Sequence, residues 1–308
     1  MISFYFKTSK EESFSEVPEL KEGSWIHVDE ANRDDLDKLS KLTGIDYVDL
    51  QDCLDKYEIP RIEQIHNHIL IFTRTPVEHE SGLYTSTLTI IVTHQFFITI
   101  SPYESIFIKN FLGQKTKIAT HQTSKLLFEV LFKITQEYNF QIRKVRQNVL
   151  SQEKEMINVD SDDITALTKH EEILNQYLAT LEPLRTVLQE IIAKRYVTLF
   201  ESEKEKERIE DLRNAISQSE ELCSIVIKSI RSLRDSYQII FTNNLHKTIK
   251  LLTALTIIFN IPTMIASIYG MNINLPLEGS SHAFLILILI IAFLSFVGLL
   301  LFKRKKWL

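Results

Sequence analysis

The stretch "TMIASIYGMNINLPLEGSSHAFLILILIIAFL", residues 263–294, joins two strongly apolar runs through a short loop. Residues 251–277 and 280–302 contain no Asp, Glu, Lys or Arg. An α-helix needs about 20 apolar residues to cross the roughly 30 Å hydrocarbon core of a bilayer, and each run is longer than that. The sequence therefore predicts a C-terminal hairpin of two transmembrane helices within residues 246–308, at about residues 250–269 and 283–302.

The net charge of −5 is unevenly distributed along the 308 residues. Residues 246–308 hold six basic residues and one acid, Glu278, whereas residues 1–245 hold 29 basic and 39 acidic residues, a balance of −10. Basic residues flank the hairpin at both outer ends, and the loop at 270–282 has none. Because cytoplasmic flanks of membrane helices carry the excess of Lys and Arg, we expect both termini in the cytoplasm and a location in the cell inner membrane.

The N-terminal segment and the cysteine content add two smaller expectations. The segment "MISFYFKTSK" lacks the basic start and the long apolar stretch of a signal peptide. The two cysteines, Cys53 and Cys223, are too few for a disulfide framework or a cysteine-built metal site, so we expect reduced packing residues.

A shift in glycine content predicts the domain organisation. No glycine occurs between Gly113 and Gly270, which favours a mixed domain in residues 1–115 and a helical stalk region in residues 116–245. In the first part, the segments "ISFYFK", "SWIHVD", "HILIFTRTP" and "LYTSTLTIIVTHQFFITISP" predict strands, the last with a hairpin near Thr93. The segment "NRDDLDKLSKLTG" predicts a helix that is capped by Asn32 and ends at Gly44. Together these elements predict a layered domain of the α/β or α+β class that ends near residue 115, and we expect this α/β domain to lie in the cytoplasm.

Long helices are predicted for the remainder of the soluble part. Residues 121–157 and 164–200 have amphipathic helical patterns, and Pro183 predicts a kink or restart in the second. No glycine or proline occurs between residues 204 and 261, so a continuous helix is predicted there. At ~1.5 Å per residue this helix is a rod of about 85 Å that leads into the first membrane span.

The two predicted membrane helices differ in polarity. The second is apolar on every side, whereas the first carries polar residues at spacings of 3, 4, 3 and 4, which places them on one face. This polar stripe consists of Thr253, Thr256, Asn260, Thr263 and Ser267. Ser and Thr in such positions also satisfy backbone carbonyls or stabilise helix contacts, but an amide such as Asn260 needs partners in hydrocarbon. Because one helix cannot enclose a pore, the stripe predicts several copies packed around a polar axis.

A neutral polar lining predicts the kind of ion that passes. Amide, hydroxyl and carbonyl oxygens hydrogen-bond to the water shell of a hydrated cation, whereas carboxylates in the pore would hold a divalent ion and slow its exit. Mg²⁺ dehydrates reluctantly, so recognition through its water shell suits it. Gly270 allows the first membrane helix to stop and expose its last carbonyl groups.

These features together resemble the CorA family of magnesium channels. The resemblance rests on "YGMN" at the end of the first membrane helix, a short loop, a second membrane helix and the basic tail "FKRKKWL". In the soluble part, "DLQDCLDKYEIPRIEQIHNHILIF", with its Ile59-Pro60-Arg61 turn, and "EPLR" are similar to family segments. "EDLRNA" and "SLRDSY" fall where the family carries acidic residues on its long helix. The resemblance covers nearly the whole chain.

The resemblance implies a fold, a function and a set of site residues. The fold is an α+β membrane protein that forms a funnel-shaped homopentamer in the lipid bilayer, with the long helix lining the pore and the second membrane helix outside. The function is transport of Mg²⁺, and also of Co²⁺ and Ni²⁺, with cytoplasmic Mg²⁺ regulating the pore; no enzyme activity and no nucleic-acid partner are implied. The implied residues are the selectivity ring Gly270, Met271 and Asn272 with Asn272 contacting hydrated Mg²⁺, the pore threonine Thr263, the inner pore end at His246 and Ile249, and the regulatory Asp211 at a subunit interface.

Three positions depart from the family pattern. Asn260 stands where an apolar pore residue is expected, and His246 stands where some relatives have asparagine. The outer loop has Glu278 as its single acid, which predicts weaker attraction of cations at the mouth.

Two other functions are compatible with the sequence. A zinc transporter of the same fold would favour His or Cys ligands, and of these the predicted pore offers His246 alone. A membrane-anchored coiled-coil scaffold without a pore predicts a first span as uniformly apolar as the second, which the polar stripe disfavours. An enzyme is disfavoured because no pair of titratable residues has a catalytic spacing.

Overall fold

The computed structural model of the chain describes residues 1–79, 82–154, 161–195, 203–273, 275–276 and 282–307. The chain divides into two compact units. The first comprises Met1–Glu155 and Thr165–Leu233, and the second comprises Met156–Ile164 and Arg234–Leu308. All of residues 1–115 and most of residues 116–233 thus belong to one unit, and the predicted boundaries at residues 115 and 245 stay predictions.

A seven-stranded mixed sheet forms the centre of the first unit. Its strand order is β2-β1-β3-β7-β6-β5-β4, and all neighbours are antiparallel except β3 and β7, which are parallel. The strands are β1 (Ile2–Phe6), β2 (Ser15–Val17), β3 (Trp25–Val28), β4 (Arg61–Ile65), β5 (His68–His79), β6 (Gly82–Val92) and β7 (Phe97–Ile100). The predicted strands and the hairpin after Val92 are confirmed.

Helices cover the sheet on both faces. The first helix, α1 (Arg33–Thr43), packs Leu36 and Leu39 into a buried cluster with residues such as Ile98 from the sheet. Its predicted ends are confirmed: Asn32 accepts a hydrogen bond from the Asp35 amide at 3.0 Å, and Gly44 has a φ of 73°. That conformation suits a glycine, which has no Cβ. The short α2 (Tyr47–Leu50) follows.

The opposite face of the sheet is covered by the next two helices. Trp25 of the sheet contacts both Phe97 of the neighbouring strand and Phe111 of α3 (Ile106–Leu112). The long α4 (Thr123–Lys154) packs along β5, β6 and β7. Tyr138 of α4 is fully buried and donates a hydrogen bond to the Arg74 carbonyl at 3.1 Å, which ties the helix to the sheet.

Two more helices complete the first unit. In α5 (Ser161–Glu190) the helix continues through Pro183, so the predicted restart is wrong; a π-helical turn, Ile191–Arg195, follows instead. The next helix, α6 (Glu203–Tyr269), has 67 residues. Its N-terminal part belongs to the first unit and its C-terminal part to the second. The Arg185 guanidinium of α5 donates to both Glu220 carboxylate oxygens at 3.0 Å, and the Cys223 thiol donates to the Leu174 carbonyl at 3.2 Å.

The buried side of α6 follows a heptad spacing. In the first unit, buried residues recur at alternating intervals of three and four: Ile209, Leu212, Ile216, Ser219, Cys223, Val226, Ile230 and Leu233. This spacing keeps one side of a long helix against its neighbours. Both cysteines are free and buried, and burial raises the pKa of each thiol to about 12, as expected for unreactive packing residues.

The second unit contains the C-terminal part of α6 and the final helix, α7 (Ala283–Arg304). Among the described residues, these two helices are long and apolar enough to cross a membrane. They touch where α7 has a glycine: a Cβ added to Gly298 would lie 3.6 Å from Ile261 Cδ1 and 3.8 Å from Ile258 Cγ1. The small residue therefore lets the two helices approach closely.

Candidate ion pathway

The polar stripe lies on the side of α6 that faces away from α7. Gly298 of α7 contacts Ile258 and Ile261, and Ala254, one turn earlier on the same side, is fully buried. At 100° per residue, the stripe is centred about 150° around the helix from these contacts. Its five members are all exposed in the single chain: Thr253, Thr256, Asn260, Thr263 and Ser267. The second membrane helix is therefore not the partner of Asn260.

The three threonines of the stripe bond to the backbone. The hydroxyl groups of Thr253 and Thr256 donate to the Ile249 and Leu252 carbonyls at 2.8 Å, and Thr263 donates to the Phe259 carbonyl at 3.1 Å. Each hydroxyl oxygen keeps its lone pairs and can still accept a hydrogen bond from water. The Asn260 amide has no hydrogen-bond partner within the part of the chain that is described.

The stripe ends where α6 ends. Tyr269 is the last residue of the helix, and the Gly270 amide closes the final turn by donating to the Ala266 carbonyl at 2.9 Å. Met271 and Asn272 follow outside the helix, and both are exposed. The Gly-Met-Asn motif thus stands directly at the end of the polar stripe.

The same side of α6 is exposed far beyond the membrane segment. Two series of residues, each with a period of seven, are exposed without exception. The first series is Asp211, Gln218, Ile225, Ser232, Ile239, His246, Thr253, Asn260 and Ser267, and the second is Asn214, Glu221, Lys228, Asp235, Thr242, Ile249, Thr256, Thr263 and Gly270. We call these two series the outer face of α6. A sustained heptad spacing is typical of a helix that packs against other helices.

The outer face joins residues that were predicted on separate grounds. Asp211, His246 and Asn260 belong to the first series, and Ile249 belongs to the second. Thr253, Thr256, Thr263, Ser267 and Gly270 were predicted as well. Sequence reasoning missed the members from Asn214 to Thr242, of which Ile225 and Ile239 are 48% and 64% exposed despite being large and apolar. The signal that would have found them is the seven-residue period counted back from Ser267.

Asp211 lines a groove in the first unit that is rich in basic side chains. The groove lies between α6 and the start of α4, and Lys117, Lys125 and Arg208 share it with Asp211 and Glu129. The basic side chains disfavour a free cation there unless further acids join. Among the described residues, no group of three or more His, Cys, Asp or Glu side chains is placed to hold a metal ion.

Glu278 of the loop between the membrane helices lies outside the described residues, so its predicted role at the mouth stays a prediction.

Comparisons with known proteins agree with this architecture. The family model of the CorA-like Mg²⁺ transporter protein matches residues 21–304. The cobalt/magnesium transport protein CorA of Methanocaldococcus jannaschii is 25% identical over 295 residues, which cover 92% of this chain and 91% of that protein. The protein of the same name from Thermotoga maritima is 23% identical over 319 residues, covering 98% of this chain and 88% of the relative.

A solved structure shares the fold over the full length. The complete structure of the CorA magnesium transporter from Methanocaldococcus jannaschii matches with a TM-score of 0.78 at 22% identity, covering 100% of this chain and 99% of that one. The predicted fold class is confirmed in its N-terminal α/β domain, its long helix and its apolar C-terminal helices.

Fold and site together define a membrane protein with a large soluble part and a hairpin of two membrane helices. The Gly-Met-Asn motif directly follows the first of these helices. The family model matches most of the chain, so the chain belongs to the CorA-like Mg²⁺ transporter family. The resemblance read from the sequence is confirmed.

Proposed function

We propose that this chain transports Mg²⁺, with Co²⁺ and Ni²⁺ as further substrates, through a pore that several copies form in the cell inner membrane. The observation that carries this proposal is the polar stripe on the outer face of α6, which ends at Gly270, Met271 and Asn272. The outward direction of the stripe, away from α7, supports a polar axis between copies. Both termini lie in the cytoplasm, as the basic flanks of the hairpin favour.

The environment of Asn260 supports self-association. A primary amide that is exposed to hydrocarbon without a hydrogen bond costs several kcal/mol. Water along a central axis removes that cost, and so do amides from neighbouring copies. A closed ring of identical chains supplies both, and the family resemblance favours five members, with α6 inside and α7 outside.

Asn272 gives the pore its selective mouth. The amide side chain follows the last turn of α6, where the helix no longer uses its terminal carbonyl groups internally. A ring of such amides and carbonyls presents neutral oxygens at the spacing of a hydrated ion. Mg²⁺ holds its water shell more firmly than other common cations, so a ring that binds the shell favours Mg²⁺.

The ion preference follows from the donor set. Two relatives are named as cobalt/magnesium transport proteins, and their names support Mg²⁺ and Co²⁺ as substrates here. Zn²⁺ favours imidazole and thiolate ligands, and His246 is the one such group on the described membrane part of the outer face. Water-mediated recognition by neutral oxygens therefore favours Mg²⁺ over Zn²⁺.

Cytoplasmic Mg²⁺ closes the pore by binding beside Asp211. Residues 1–245 carry a balance of −10 in each copy, so copies arranged around an axis repel one another unless cations screen them. Because Lys117, Lys125 and Arg208 line the same groove as Asp211, a bound Mg²⁺ requires an acid from the neighbouring copy. Loss of that ion lets the copies separate, and since Asp211 shares α6 with the stripe, the pore opens.

Ion flux into proteoliposomes tests the transport proposal. Purified protein is reconstituted, and uptake of Mg²⁺, Co²⁺, Ni²⁺ and Zn²⁺ is compared with protein-free vesicles. We expect uptake of the first three ions and little uptake of Zn²⁺. A dominant Zn²⁺ flux would favour the zinc alternative, and absence of all flux from correctly inserted protein would favour the scaffold.

The regulatory proposal has its own variant and control. Asp211→Asn should raise the Mg²⁺ concentration that half-closes the channel by about tenfold, the effect of losing ~1.4 kcal/mol of ion binding. It should also weaken the protection that Mg²⁺ gives the soluble domain against protease. Asp34→Asn removes the same charge from an exposed position of α1, outside the outer face of α6, and should change neither response. Identical responses in both variants would remove Asp211 from the sensor.

A further inference from the structure

The C-terminal end of α7 closes in a defined cap. The Lys306 amide donates to the Lys303 carbonyl at 3.1 Å, and the Trp307 amide donates to the Phe302 carbonyl at 3.0 Å. Lys306 has a φ of 57°. These two hydrogen bonds around a left-handed residue are the Schellman motif, which satisfies the last carbonyl groups of a helix and turns the chain back.

The cap places an aromatic residue on the end of the membrane helix. The rings of Trp307 and Phe302 are stacked, with centroids 5.5 Å apart and planes inclined at 29°. This is the apolar contact that accompanies a Schellman motif. Trp concentrates at the level of the lipid headgroups, because its ring is apolar while its N–H remains hydrated. The cap therefore fixes an interfacial Trp to the end of α7.

The cap also concentrates positive charge at the same level. Lys303, Arg304, Lys305 and Lys306 are exposed. Glycine takes a left-handed conformation at no cost. Lys306 therefore places a charged residue at a position whose left-handed backbone conformation favours glycine.

Two lysines of α6 extend this basic surface. Because α7 runs back along α6 with Gly298 beside Ile258 and Ile261, Lys250 lies about level with the tail and Lys247 lies one turn further. Both are exposed. None of the six cations forms an ion pair with another described residue. The cations and Trp307 together make one surface, the basic collar.

We propose that the basic collar binds the headgroups of anionic phospholipids in the cytoplasmic leaflet. Lys and Arg supply charge-assisted donors for phosphate oxygens, and Trp307 positions those donors at headgroup depth. The inference rests on the proposed function for its membrane orientation. Each Lys or Arg near such a surface favours anionic over neutral lipid by roughly fivefold.

Quenching of Trp307 by brominated lipid measures this preference directly. The chain has two tryptophans, and Trp25 is fully buried in the first unit. The full-length protein is reconstituted in phosphatidylcholine vesicles that contain brominated phosphatidylglycerol or brominated phosphatidylcholine as a minor component. The Trp307→Phe variant supplies the background signal of Trp25. We expect at least about threefold stronger quenching per mole of brominated phosphatidylglycerol.

Matched variants separate charge from membrane depth. Lys303→Gln, Arg304→Gln and Lys305→Gln combined remove half of the collar's six cations and should strongly reduce the preference for phosphatidylglycerol, while quenching by brominated phosphatidylcholine stays unchanged. The control combines Lys10→Gln, Lys21→Gln and Lys38→Gln, three exposed lysines of the first unit, and should keep the full preference. Lys306→Gly keeps the cap, since glycine suits its conformation, and should weaken the preference in part.

Three results would overturn the proposal. These are equal quenching by the two brominated lipids in the unmodified protein, an unchanged preference in the triple collar variant, and loss of the preference when millimolar inorganic phosphate is added. The last result would mean that the collar binds free phosphate. Mg²⁺ flux measured in the same vesicles keeps the two proposals distinct, because flux without lipid preference contradicts only the collar, and lipid preference without flux contradicts only the transport function.

Discussion

The two membrane helices differ in where they place polarity, and the difference assigns them different neighbours. The second, α7, is apolar all round, with no buried residue and large side chains such as Phe284 and Phe293 exposed. The first, α6, is apolar toward α7 and polar on the opposite side. A helix that is apolar on all sides tolerates lipid on all sides, whereas a helix with a polar stripe does not. The comparison favours lipid around α7 and, in the proposed assembly, water along the polar side of α6.

The outer face of α6 shows that this division continues beyond the membrane. Large apolar residues such as Ile225 and Ile239 share the face with polar ones, and all are exposed in the single chain. An exposed face with a sustained seven-residue period indicates contact with other helices. One helix therefore serves two roles, with its buried seam holding the chain together and its outer face available for other copies.

The largest effect is expected at the end of the stripe. Asn272→Ala should reduce Mg²⁺ uptake to the level of protein-free vesicles and leave the oligomer intact, because the side chain supplies the amide oxygens of the mouth. Uptake and size-exclusion chromatography in detergent measure the two properties. Asn244→Ala, an exposed asparagine of α6 outside the stripe, is the control and should transport normally. Normal flux in Asn272→Ala would remove the assigned role of the motif.

A smaller effect is expected within the stripe. Asn260→Leu makes the axis of the pore drier, and an apolar ring that adds about 1.4 kcal/mol to the barrier lowers flux about tenfold. The measurement is flux per assembled channel. Ala292→Leu adds the same side chain to an exposed position of α7, where lipid accommodates it, and should leave flux unchanged. If both substitutions have the same effect, the two helices do not differ as proposed.

The smallest effect is expected at the contact between α6 and α7, and it concerns the stability of the hairpin. At Gly298, a Cβ meets Ile261 and Ile258 at ordinary contact distances, so Gly298→Ala should be tolerated. Gly298→Leu should separate the helices and destabilise the hairpin by about 1–3 kcal/mol, the usual cost of overpacking. Thermal unfolding in detergent distinguishes the two variants. Equal stability of both would mean that the helices are not closely packed at this position.

The sequence predicted those parts of the fold that depend on local chemistry. The ends of α1 follow from Asn32 and Gly44, and the membrane spans follow from long uncharged runs, so both were predictable. The strand β4 was not among the strands predicted from the sequence, because Ile59-Pro60-Arg61 was taken as a turn. Its register is set instead by pairing with β5 across the two-residue turn at His66 and Asn67.

Tertiary packing decided the elements that the sequence predicted wrongly or not at all. Pro183 was expected to kink or restart α5, and the restart is wrong because the helix continues, with Leu181 and Leu184 on either side of the proline fully buried. The cations around Asp211 come from α4 as well as from α6, and no spacing in the sequence reveals that approach. The polar stripe itself was predictable, because a period of 3.6 residues on one helix requires no knowledge of its neighbours.

Cysteine accessibility tests most directly whether the polar side of α6, and not α7, borders the ion path. Cys53 and Cys223 are buried, and burial raises the pKa of each to about 12, so neither native thiol should react. Ser267→Cys places a thiol on the stripe, and Leu289→Cys places one on exposed α7. We predict that a charged, water-soluble thiol reagent modifies Ser267→Cys and blocks Mg²⁺ flux, with no modification of Leu289→Cys. Rapid modification of Leu289→Cys with an unreactive Ser267→Cys would contradict the account.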